Sequence, residues 1–150
     1  MKKQLLKILL PAAVFLAGCA STGGEAAPGE EVLRRSEASA AIGGLFSAYR
    51  EYSRESFERL LSADFAPSRP EFLQAAESAF NAATLLELTF VLDRAQRTGD
   101  TLAAEFTWRR KVQPKLSAGP VMLGGSALAV FKRGNGNWLL YSLKGNDPFR

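Results

Sequence analysis

Acid–base chemistry in a protein cavity needs a carboxylate to take a proton and a second group to steady the resulting charge. The carboxylates on offer are Asp93 and Glu105, and the hydroxyls are Tyr49, Tyr52 and Tyr141. Their placement argues against a pairing. Glu105 alternates with Phe106 and Trp108, so it faces away from them on an extended strand. Asp93 falls opposite Phe90 and Leu92 in the same way. The chain has no histidine, which removes the commonest general base and metal ligand. No residue set has the type and spacing of a metal site. No catalytic residue, metal or cofactor is expected.

Binding is the stronger reading of the same stretch. Phe90, Phe106, Trp108 and Phe131 sit where they line an apolar cavity or, equally, form packed core. Aromatic residues on strands are more often core. Arg110 continues the Phe106–Trp108 alternation. It either meets an anionic ligand at the cavity mouth or snorkels to solvent from a strand end, and the second reading is the commoner one. Arg109, Arg110, Lys111 and Lys115 form a basic cluster, but alternation puts Arg109 and Lys111 on the face opposite Arg110. No single patch collects them.

These residues need elements to position them. Helical spacing starts near Val32, with Leu33, Ala40, Ala41, Gly44, Leu45, Ala48, Tyr49 and Tyr52 on one stripe. Gly43-Gly44 weakens that helix by about 1 kcal/mol per glycine, and a close contact or a bend would explain the pair. Ser53 caps a short second helix that buries Phe57, Leu60 and Leu61 and ends at Asp64-Phe65-Ala66-Pro67. Ser68 or Arg69 caps a third, with Pro70 at a favourable first position. Its apolar face is Phe72, Ala75, Ala76, Ala79 and Phe80.

After Ala83 the period falls to two. Leu86, Leu88, Phe90 and Leu92 form one face of a strand, and Leu102, Ala104, Phe106, Trp108 and Arg110 one face of the next. A loop over residues 113–120 leads to a third strand, Val121 to Lys132, where Gly124-Gly125 predicts a bulge or strong bend. Gly134-Asn135-Gly136-Asn137 is a hairpin turn, and Trp138 to Lys144 the last strand. The expected class is α+β: three N-terminal helices packed on a curved, mainly four-stranded antiparallel sheet.

The beginning of the chain carries an address. Met1 to Lys7 is basic, and Leu5 to Ala17 is an apolar run of 13 residues interrupted by Lys7 and Pro11. That is too short to span a bilayer and fits a secretory signal. It ends at Leu16-Ala17-Gly18-Cys19, which resembles the lipobox of bacterial lipoproteins. The resemblance implies cleavage between Gly18 and Cys19 and lipid attachment to the Cys19 sulfur. Each buried CH₂ contributes about 0.8 kcal/mol, so two or three chains hold firmly. Ala20, rather than Asp, leans toward the outer membrane, facing the periplasm, if the host is Gram-negative. The expected layout is a signal peptide over 1–18, a lipidated cysteine and flexible tether over 19–31, and one domain over 32–150. A lone cysteine makes no internal disulfide.

Removing Lys2, Lys3 and Lys7 with the signal lowers the net charge from +4 to +1. The pI near 9.5 therefore overstates any case for nucleic acid, and none is expected as a partner. Residues 19–105 carry 8 basic and 14 acidic groups, and residues 106–150 carry 8 and 1. Either the two halves neutralise each other in the fold, or the basic half faces anionic lipid or an acidic partner.

The order of elements resembles the nuclear-transport-factor-two-like fold. The end of the chain carries this best: Ala127-Leu128-Ala129-Val130-Phe131-Lys132-Arg133, the Asn-Gly turn, and Trp138-Leu139-Leu140-Tyr141-Ser142-Leu143. The resemblance spans roughly residues 33–147 and implies a cone, in which a bent sheet wraps the first helix around an apolar pocket. The family includes ketosteroid isomerases, polyketide cyclases and assembly factors, so the fold leaves function open. The expectation is a membrane-anchored envelope protein that binds an apolar small ligand or a protein partner without catalysis. An assembly subunit using its sheet face is the alternative, and a cryptic isomerase or cyclase is the third reading.

Overall fold

A computed structural model describes residues 28–150. Gly18 and Cys19, the expected cleavage and lipidation sites, lie outside the described residues. The order is α1 (Pro28–Glu51), α2 (Arg54–Arg59), β1 (Leu61–Ala66), α3 (Arg69–Ala82), β2 (Ala83–Thr98), β3 (Thr101–Pro114), β4 (Val121–Gly134) and β5 (Asn137–Gly145).

The sheet has five strands in the order β1-β5-β4-β3-β2. It is mixed, because β1 runs parallel to β5, while the other pairs are antiparallel. This corrects the expected four-stranded antiparallel sheet. Residues 61–66, expected as the end of the second helix, are extended instead. Leu60 closes α2, and its carbonyl accepts from the Leu140 N–H at 2.8 Å. That long-range bond gives the segment a sheet edge to join, which local propensity does not reveal.

Helix α1 starts at Pro28, so residues 28–31, expected as tether, are helical. Its buried residues are Ala38, Ile42, Leu45, Phe46 and Tyr49, a seam rotated from the expected stripe; Leu33 is 53% exposed. A Cβ on Gly43 or Gly44 would meet nothing within 4 Å, so close packing does not account for the pair. The other helix starts follow their caps. Ser53 Oγ accepts from Ser56 N–H at 3.3 Å, and Ser68 Oγ from Glu71 N–H at 3.5 Å.

Strand β2 bends at two bulges, between Leu85 and Glu87 and between Leu92 and Arg94. The first turns Leu86 outward, where it is 52% exposed, and puts Leu85 against the core in its place. The expected inward row of β2 therefore holds only from Leu88 to Leu92. Arginines of α1 seal the outer edge of this strand. Arg35 donates to the Leu92 and Asp93 carbonyls at 2.9 and 3.3 Å, and Arg50 donates to the Leu88 carbonyl.

Strand β3 alternates without a break: Leu102, Ala104, Phe106, Trp108, Arg110 and Val112 are buried. Gly124 and Gly125 pair with Arg109 and Trp108 in regular register, so no bulge lies there. The space has another use, because a Cβ on Gly125 would come within 2.4 Å of the Asn146 side chain. The β4–β5 turn places Asn135 at φ 51° and Gly136 at φ 81°, the left-handed pair that a tight hairpin requires.

Candidate binding site

The sequence after β5 folds back into the cone. Gly145 has φ 89°, and a Cβ there would lie 2.7 Å from the Ser126 carbonyl, so only glycine makes this turn without strain. Asn146 N–H then donates to the Ser126 carbonyl at 2.9 Å, and its own carbonyl accepts from Trp108 Nε1 at 2.8 Å. Three residues on, Phe149 enters the interior, where it is 1% exposed. Its ring centroid lies 5.1 Å from both Tyr49 and Phe57, 5.7 Å from Phe46 and 6.1 Å from Phe72. Tilted and edge-on contacts of this kind add stabilisation beyond area burial.

Arg110 stands at the same end. It is 5% exposed, which corrects the expectation that it snorkels to solvent. Neighbouring chain satisfies it in place of water. Nη1 donates to the Pro148 carbonyl at 2.9 Å and to the Tyr49 hydroxyl at 3.3 Å, and Nη2 donates to the main-chain oxygen of Arg150. Its Nε is buried without a partner among the described residues. The Tyr49 hydroxyl in turn donates to the Phe149 carbonyl at 3.4 Å.

Asp147 clasps this segment. One carboxylate oxygen accepts from the Phe149 N–H at 2.9 Å, and the other pairs with Arg150 Nε at 2.9 Å. Burial raises the pKa of Asp147, opposed by the Phe149 N–H, Arg150 and Arg110. Burial likewise raises that of Tyr49, against the pull of Arg110. A carboxylate and a tyrosine thus share one charged neighbourhood, but both carboxylate oxygens are already engaged.

The structure brings the residues singled out in the sequence together only in part. Phe90 and Phe106 meet across Phe46, at 5.1 and 6.1 Å. Trp108 and Arg110 join the inserted segment. Phe131 is buried opposite Leu102, eight residues along β3 from Arg110 and so about 26 Å away. Asp93 and Glu105 are both exposed, and Asp93 accepts from Thr107 Oγ1 at 2.9 Å. With Phe106, Leu128 and Lys144 they border a depression of about 350 Å³. A smaller hollow of about 210 Å³, lined by Phe65, Glu71, Phe72, Asp147 and Arg150 among others, lies beside the inserted segment. Sequence reasoning missed Asp147 and Phe149. Their one signal was an aromatic residue directly after Pro148.

Among the described residues no helix is long and apolar enough to cross a membrane. Among the same residues, no group of three or more His, Cys, Asp or Glu is placed to hold a metal.

No protein-family model matches the sequence, and no curated protein matches it either. Solved structures do. An NTF2-like protein from Cytophaga hutchinsonii is 17% identical with a TM-score of 0.63, over 75% of this chain and 97% of that one. A nuclear transport factor 2 (NTF2-like) superfamily protein from Salmonella enterica is 12% identical with a TM-score of 0.64, over 78% and 92%. A ketosteroid isomerase-like protein from Erwinia carotovora is 13% identical with a TM-score of 0.60, over 72% and 91%. Likeness at this level of identity shows shape and leaves chemistry open. The described domain therefore has the nuclear-transport-factor-two-like fold.

Proposed function

We propose that this chain is an envelope lipoprotein, anchored through lipid on Cys19, whose cone binds an apolar ligand without catalysis. The single observation that carries the binding reading is the buried guanidinium of Arg110 beside an aromatic box that Phe149 fills. A core meant only for packing has no need of a buried cation, since burying one is costly unless it is paired. The isomerase-like name of one structural neighbour raises catalysis as an alternative. General base catalysis needs a carboxylate free to take a proton from a substrate. Asp147 instead holds the chain's own N–H and guanidinium.

An assembly role has one supporting observation. Strand β4 pairs with β5 only from Ala127 onward, and Val121, Met122 and Leu123 beyond it are 39, 57 and 38% exposed. An apolar strand end without its neighbour is a surface for a protein partner.

The test is to isolate the protein from native membranes, weigh it intact, and analyse what co-purifies. The expected product lacks residues 1–18, carries acyl chains on Cys19 and retains a small apolar molecule. An unmodified thiol would end the anchoring reading. A protein partner recovered in constant ratio, without a small molecule, would replace cone binding by assembly.

A further inference from the structure

We propose that Arg110 and the aromatic box form a site for an aryl carboxylate, and that Asp147–Arg150 is a self-ligand which such a molecule displaces. This rests on the binding reading above and names both the ligand class and the gate.

The inserted segment reveals what the site accepts. Phe149 presents a phenyl ring to Phe46, Tyr49, Phe57 and Phe72. Two carbons from that ring, its carbonyl accepts from the Tyr49 hydroxyl. Tyr49 is in turn 3.3 Å from Arg110 Nη1. A phenyl ring, a two-carbon spacer and a carboxylate reproduce this arrangement, and 3-phenylpropionate is the simplest such molecule. Its carboxylate would take the place of the Pro148 and Arg150 main-chain oxygens on Arg110. No Asp or Glu side chain among the described residues lies within ion-pairing distance of that guanidinium, and its Nε has no partner among them. Planar carboxylates match the guanidinium fork and form its stronger, charge-assisted bonds.

Opening the gate breaks a definite set of contacts. Besides the buried Phe149 ring and Pro148, the segment is tied by the Asp147 clasp, by its main-chain oxygens on Arg110 and Tyr49, and by Asn146 on Trp108 and on the Ser126 carbonyl. The hollow of about 210 Å³ beside Asp147 and Arg150 gives a ligand a place to start. Trp108 reports the movement, because displacement breaks its indole bond to Asn146.

The test uses the full chain in a maltoside detergent, with Trp138→Phe making Trp108 the sole indole. Binding of 3-phenylpropionate and of its neutral amide, 3-phenylpropionamide, is followed by Trp108 emission and by calorimetry. Asp147→Ala unclasps the segment and Phe149→Ala empties the box. Each is expected to bind the carboxylate at least tenfold more tightly than the parent, and the amide at least tenfold more weakly than the carboxylate. Arg110→Met is expected to abolish the preference for carboxylate. If Phe149→Ala does not fold, Asp147→Ala carries the comparison alone. Affinity unchanged in the unclasped variant would overturn the gate. Equal binding of amide and carboxylate would overturn the ligand class while leaving apolar binding in the cone intact. Binding of neither probe by any folded variant would refute this site, with the native co-purification still deciding the broader reading.

Discussion

Two arginines on neighbouring strands live under opposite conditions. Arg97, near the end of β2, keeps a third of its side chain in solvent, pairs with Glu37 at 3.2 Å, and lies 5.6 Å from the Trp138 ring. Arg133 lies 4.9 Å from the same ring. Arg110, toward the far end of β3, is almost wholly buried and leans on main-chain oxygens and one hydroxyl. Water could take over much of Arg97's solvation if its partners were lost. Arg110 has no such reserve. One end of the cone is therefore settled by its own charges, while the other depends on whatever segment or molecule fills it.

That contrast can be broken experimentally. Phe149→Ala is expected to have the largest effect, a loss of about 3–5 kcal/mol of stability in denaturant unfolding, the range for deleting a fully buried aromatic side chain. A loss below about 1 kcal/mol would mean the inserted ring is not core. Arg110→Met is expected next, at about 1–3 kcal/mol, because buried acceptors lose their donor. Arg97→Met should cost under about 1 kcal/mol, as partly exposed ion pairs do. Equal costs for the two arginines would erase the distinction between the ends.

Asp147 sharpens the comparison through pH. Its folded pKa is raised, mainly by burial, so the native state holds the proton more tightly than the unfolded chain. Its contribution therefore favours the fold fully below the ordinary carboxylate value of about 3.9, and is lost as pH rises through the raised value. The stability of the parent relative to Asp147→Asn should fall over that window, as measured by unfolding at successive pH values. A flat difference would show that Asp147 is ordinary.

Parts of this architecture were legible in the residues. Strand β3 was, because Leu102 to Arg110 alternates strictly with polar or small residues and one buried face enforces that pattern. The Asn135-Gly136 turn was, because few dipeptides tolerate two consecutive positive φ values. Strand β1 was hidden, since Leu61-Ser62-Ala63-Asp64-Phe65-Ala66 has no β-branched residue and owes its state to β5. The outward turn of Leu86 was hidden because a bulge shifts the period without changing the residues that flank it. Of the site, the row Phe106-Trp108-Arg110 was legible as a face. What fills the cone was not, because Asp147-Pro148-Phe149-Arg150 has no periodicity and reads as an ordinary tail.

The arginines that α1 lays along β2 have a consequence for crowding. The border strand of a sheet is a template on which another chain can grow, and the hazard rises where many copies share a surface. Arg35 and Arg50 occupy carbonyls that an incoming strand would need, and they add positive charge to any approach from that side. Dense arrays of this molecule should therefore resist ladder growth along β2, and neutralising both side chains should make that border sticky.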